Sequence, residues 1–311
     1  MSESEEPTSK PSDTQSVAQH WASWRSLSTQ AYAKFQAALE ADQMGHPGLT
    51  DYAPADRAEG TQGTFAWWWG AGSEIRETIN SINAWSVRLH EWSAWNRVVD
   101  AYGERDERWD VVSHFVEPIA FFCMLQPSSF ADRLALTAET MLHQANRRVL
   151  SDYPDQLDQD ARPGKPLRRS DRRKQLGRLG QHWARFGAFQ QSLHALDGDT
   201  YRRLSCNFRD LASHSFSPRL MLGHISRAIR SIGPYQDLVE QPGGGYQFVD
   251  HPTKKAVSYA MSSLEPLPLG ATYEANRGEF SRARSAMERF AELVEEVCSR
   301  MDQLPEGELV R

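Results

Sequence analysis

Between Ser73 and Gly103 the chain carries Ile75, Ile79, Ile82, Trp85, Leu89, Trp92, Trp95 and Val99, large apolar residues that return every three or four positions. That period gathers them on one stripe of an α-helix but scatters them over both faces of a strand, so only a helix buries them together. A stripe of about seven turns has to be covered by other helices with stripes of their own. Ser73, with Glu74 and Glu77 behind it, reads as the helix start, and Gly103 as its stop.

Covering stripes recur along the chain. Val17, Trp21, Trp24, Leu27, Ala31, Phe35 and Leu39 form the first. A second helix over 109–125 bends or begins at Pro118, and another, capped by Ser128 or Ser129, runs to about 150. Leu176, Leu179, Trp183, Phe186, Phe189 and Leu193 give one face to a helix over 168–196. A helix capped by Asp199 or Thr200 leads into 207–220, helix resumes over 220–232, and a last one covers 273–304 with Phe280, Met287, Phe290, Val294 and Val297 inward. The expected fold class is therefore all-α, a bundle of roughly seven helices. One small β-hairpin insert is expected at about 243–262, where GGGYQFV and AVSYAM flank a His-Pro-Thr-Lys-Lys turn. Residues 45–63, with their Gly and Pro, read as loop. Residues 1–15, rich in Ser, Glu, Pro and Thr, read as a disordered tail, and 16–305 as one helical domain. Any subdomain boundary falls in the Asp- and Pro-containing loop at 151–166.

The polar start holds no apolar signal segment, and no apolar run is long enough for a membrane span. Cys123, Cys206 and Cys298 are far apart and lack metal-knuckle spacing, so no disulfide framework is expected; Cys123 and Cys298, set among apolar residues, read as buried thiols, and a reducing cytoplasm fits. No phosphate-binding glycine loop, zinc helix or nucleophile elbow is present, so neither cofactor nor metal is expected. Glu139 and His143 lie one turn apart, but no second ligand pair accompanies them; a hydrogen bond is the expected use. Trp67-Trp68-Trp69 cannot all face one side of a helix, so part of this run meets another element, a partner or solvent.

Charge is unevenly placed. Residues 1–161 hold 12 Lys and Arg against 24 Asp and Glu, residues 162–230 hold 15 against 4, and the remainder 8 against 13. Either the middle segment meets an anionic partner, or an acidic half of the chain folds against a basic half. Arg168, Arg169, Arg172, Arg173, Lys174 and Arg178 concentrate this charge and are the candidate nucleic-acid-binding residues; few aromatics interleave with them, so base stacking is not indicated. Further along, NFRDLASHSFSPRL places Arg209, Asp210 and His214 on one short helical stretch that Ser217-Pro218 ends.

Arg209, followed by the polar Asp210 and then His214, resembles the Arg-x4–6-His motif of the HEPN superfamily of helical proteins. The same spacing occurs at Arg108/His114 and Arg219/His224; the basic setting and the helix stop distinguish the middle pair. The resemblance covers these few residues and the helical character. It implies metal-independent RNA cleavage at a composite site of a homodimer, in a bacterial toxin or phage-defence setting. His214 would move the ribose proton, Arg209 would neutralise the phosphate, and Asp210 would orient either of them. The other reading is a non-catalytic subunit that docks a protein partner through the Trp67–Trp69 surface and the acidic half.

Overall fold

The computed structural model describes residues 13–41, 48–161 and 163–305, with side chains from residue 17 on. Its element order is α1 (Asp13–Ala41), α2 (Ala53–Glu59), α3 (Gly72–Asp100), α4 (Arg105–Val111), α5 (Glu117–Val149), α6 (Arg169–Gly180), α7 (Phe186–His194), α8 (Asp199–Leu204), α9 (Phe208–His214), β1 (Ile225–Glu240), β2 (Tyr246–Leu264) and α10 (Leu269–Asp302). The mainly helical class with one two-stranded antiparallel sheet agrees with the sequence reading. The tail expected over 1–15 lies outside the described residues except for 13–15, which open α1. Among the described residues no helix is long and apolar enough to cross a membrane.

Helices α3, α5 and α10 pack on one another and make the centre, with α1, α2 and α6–α9 laid around them. The α3 stripe is where its spacing puts it: Ile75, Ile79, Ile82, Trp85 and Trp92 are all fully buried. Its start is not at Ser73. The backbone is already helical, with a π-turn over Trp67–Ala71 feeding straight into α3. The π-turn buries Trp67, whose Nε1 donates to the Ala58 carbonyl at 3.1 Å.

Several expected boundaries move, each for a local reason. The helices expected over 109–125 and 128–150 are a short α4, a π-turn over Val112–Val116, and one 33-residue α5 that runs through Pro127. Proline has no N–H for the carbonyl four residues back, here Cys123. Asn276 of α10 supplies the missing donor, its Nδ2 lying 2.9 Å from the Cys123 oxygen. The helix therefore continues because a neighbour replaces the lost bond. The single helix expected over 168–196 is α6 and α7, broken at 181–185 where Trp183 turns inward and its Nε1 donates to Asn146 Oδ1 at 2.9 Å. The loop expected over 45–63 contains α2. The helix leading into 207–220 is interrupted by Cys206 and Asn207, both in the left-handed region.

The largest correction concerns 220–264. The expected helix over 220–232 is the first half of a strand, and the expected small insert at 243–262 is the outer part of a long ribbon joining 225–240 to 246–264. Ile225, Ile229 and Ile232 sit at steps of four and three, which mimics a helical stripe. In the ribbon they stand opposite Leu264, Ala260 and Val257. The root of the ribbon is clamped to the body. Met221 N–H donates to the Leu267 carbonyl and Leu267 N–H to the Arg219 carbonyl, both at 2.8 Å. The Arg219 guanidinium lies over the Trp109 ring and 3.0 Å from Glu117. Gly223, at φ +80, brings the backbone so near that ring that a Cβ would clash with it at 2.8 Å. Beyond this root the two strands pack almost entirely against each other.

Candidate functional site

The stretch holding Arg209, Asp210 and His214 is positioned by its neighbours on α5. Phe208 is buried and meets Phe121 edge-on at 5.4 Å, which docks the first turn of α9. The chain enters α9 through the left-handed pair Cys206 (φ 51) and Asn207 (φ 52), and leaves it at Ser215 ahead of Pro218. Arg209 Nη1 lies 3.0 Å from Asp210 Oδ1, and both side chains are about half exposed. His214 is exposed, and its side chain makes no hydrogen bond among the described residues. A five-residue step along a helix turns roughly 140° past a full turn, so guanidinium and imidazole leave the helix in different directions. Arg209 and Asp210 line a narrow crevice with Asp197, Tyr201 and Arg202. Phe208, Ala212 and Ser215 line a separate groove with Phe121 and Arg219. His214 lines neither.

The basic run is largely engaged by the chain's own carboxylates. Arg169 lies 2.8 Å from Asp132 and 2.9 Å from Asp197; Arg172 lies 3.2 Å from Glu139; Arg178 pairs with Asp158. Arg173 is half-buried, and burial together with the field of Arg169 lowers its pKa from the ordinary arginine value. Arg168, Lys174 and Arg178 are the exposed cations of the run. Of the two readings of the charge asymmetry, the second explains these contacts directly: Asp132, Glu139 and Asp158 all belong to the acidic first half.

Asp197 is the centre of this charge network. It sits in the left-handed region at φ 54, is 9% exposed, and receives Arg169 and Arg202, the latter at 2.7 Å. Its own N–H donates to Glu279 Oε2 at 2.9 Å, and Glu279 in turn holds Arg282 at 2.7 Å. Burial alone would raise the Asp197 carboxyl, but the two guanidinium groups outweigh it and hold its pKa below the ordinary aspartate value. Glu139 is also buried, and desolvation raises its pKa. His143 uses both ring nitrogens internally, with Tyr153 Oη at 3.0 Å and Asp155 Oδ1 at 2.9 Å. Glu139 and His143 thus serve two separate internal contacts, and no group of three or more His, Cys, Asp or Glu among the described residues is placed to hold a metal ion.

Among the described residues two groups of exposed aromatic and aliphatic side chains stand out. Phe65, Trp68 and Trp69 are each at least two-thirds exposed, and the Phe65 and Trp69 rings are near parallel with centroids 6.3 Å apart. Trp68 and Trp69 belong to the same π-turn that buries Trp67, and Phe65 lies just before it. The second surface is the ribbon, which sequence reasoning placed only in its outer part. The signal available for it was the density of Ile, Val, Tyr and Phe on either side of Gly243-Gly244-Gly245. The chain matches no protein-family model, no curated protein and no solved structure.

Proposed function

We propose that the protein is a non-catalytic helical interaction subunit, assembling through surfaces its body leaves bare. One observation carries this reading: along the ribbon Met261 is 92% exposed, Tyr259 70% and Phe248 65%. An unsupported two-stranded ribbon is marginal in water, and a contiguous apolar patch of this kind marks a site of association. The aromatic group at Phe65, Trp68 and Trp69 offers a second contact. The internal pairing of Arg169, Arg172 and Arg178 supports the same reading, because these cations already have partners within the chain.

Metal-independent RNA cleavage by Arg209 and His214 is the second reading. It is favoured by the exposure of both side chains and by the consecutive left-handed residues Cys206 and Asn207, a kind of backbone strain that gathers at functional sites. One assay separates the two. Purified protein is incubated with single-stranded RNA without added metal, and RNA retention is followed against salt. The interaction reading expects intact RNA and no salt-sensitive retention. Cleavage that His214→Ala removes while the helical fold persists would overturn it in favour of the nuclease.

A further inference from the structure

We propose that the ribbon pairs face to face with the ribbon of a second copy of this chain, the two running antiparallel about a twofold axis beside Tyr235. This rests on the interaction reading and names its partner.

The pairing register sorts the side chains. Arg230 stands opposite Tyr259, Ile232 opposite Val257, Leu238 opposite Phe248, Glu240 opposite Tyr246, and Ala228 opposite Met261. Side chains alternate along a strand, so the even-numbered residues of β1 and their cross-strand partners share one face. That face holds the most exposed large apolar residues of the ribbon, Met261, Tyr259, Tyr246, Phe248 and Ile232. The other face is small and polar through its middle: Ser231 with Ser258, Gly233 with Ala256. The ribbon is therefore amphipathic, with its apolar side facing solvent. Seven large apolar side chains are exposed on that one face, on the order of 1,000 Å² in all, comparable with the roughly 800 Å² that each partner contributes to a stable interface.

Charge identifies the occupant. The ladder is interrupted between Pro234 and Gln236, where 251–254 bulge from β2. Every Arg and Lys of the ribbon lies at or below this bulge: Arg227, Arg230, Lys254 and Lys255. Every Asp and Glu lies beyond it: Asp237, Glu240 and Asp250. A basic root and an acidic tip on one ribbon complement the same ribbon turned end for end, which is the isologous pattern of a twofold dimer. A twofold axis at Tyr235 sets Arg230 over the partner's Glu240 and Lys255 over the partner's Asp250. The same axis sets Ile232 over the partner's Leu238 and Val257 over the partner's Phe248. Apolar side chains then meet apolar ones at the roughly 10 Å spacing of stacked sheets, and each charge meets its opposite. A nucleic acid lacks this match, because the acidic half of the face would lie against phosphate.

The test is the mass in solution of full-length protein, with two charge-reversed variants. At about 100 µM the wild type should sediment at twice the 35.3 kDa chain mass. Arg230→Glu with Lys255→Glu should be monomeric, and so should Glu240→Lys with Asp250→Lys. All four side chains are exposed, so far-ultraviolet circular dichroism should show unchanged helicity in both. Mixed in equal amounts, the two variants should recover the dimer mass, because each now carries the charge the other needs. A monomeric wild type, a dimer that survives either reversal, a mixture that stays monomeric, or a monomer that duplex DNA retains through the ribbon would each overturn the pairing. RNA cleavage would overturn the interaction reading without altering these masses; a monomer that leaves RNA intact would overturn the pairing alone.

Discussion

Asn276→Ala should destabilise the protein by about 3–5 kcal/mol, read as a lower denaturant midpoint at unchanged slope. Asn276 is fully buried and joins four helices. Its Oδ1 accepts from Trp85 Nε1 of α3 at 2.9 Å, and its Nδ2 donates to the Cys123 carbonyl of α5 and to Tyr201 Oη of α8, both at 2.9 Å. Alanine would leave a buried indole N–H without an acceptor and return the Cys123 carbonyl to the state Pro127 created. It would also leave a cavity beside Trp85, Cys123 and Tyr201. Tyr201→Phe removes only one arm of the hub, together with the hydroxyl's contact to the Met124 carbonyl at 3.3 Å, and should cost about 1 kcal/mol. The double variant should cost less than the sum of the two, because both act on one network.

The second large effect is at Asp197. Asp197→Ala should cost about 3 kcal/mol, less than a fully buried pair would, because Arg202 and Arg169 both keep some water contact. Part of that loss is backbone strain, since alanine tolerates the left-handed conformation poorly where aspartate and asparagine accept it. Asp197→Asn should therefore be milder, because it keeps both the tolerance of the left-handed backbone and an acceptor oxygen for the two guanidinium groups. The pH dependence follows from the depressed pKa. The carboxylate's contribution is complete above its ordinary value of about 4 and is lost as pH falls through the lower folded value. Acid titration of unfolding free energy should show the asparagine variant losing less stability than the wild type in that window.

What the sequence disclosed and what it hid divide along a physical line. The α3 stripe and the α10 stripe were readable because each helix buries one continuous face over many turns, and Phe280, Met287, Phe290 and Val297 are all buried as their spacing requires. The continuity of α5 through Pro127 was not readable, because it depends on Asn276, a residue some 150 positions away in the chain that donates to Cys123. The ribbon was half readable: the glycine run marks its turn, but Ile225, Ile229 and Ile232 repeat at helical steps, and only pairing with 257–264 decides for strand. The basic run was visible as composition, whereas its partners Asp132, Glu139 and Asp158 are brought to it by the fold. Arg209 and His214 are neighbours in sequence, and the regular turn of α9 directs them apart.

On the interaction reading the helical body is complete without its ribbon, which exists to meet a partner. Replacing residues 226–263 with a short glycine linker between Ile225 and Leu264, and measuring both mass and thermal unfolding, tests it most directly. The account predicts a monomer that keeps the helical signal of α1–α10 and unfolds in one cooperative transition, because the root at Arg219, Met221, Gly223 and Leu267 stays intact. A truncated chain that loses its helical fold, or that still self-associates, would contradict it.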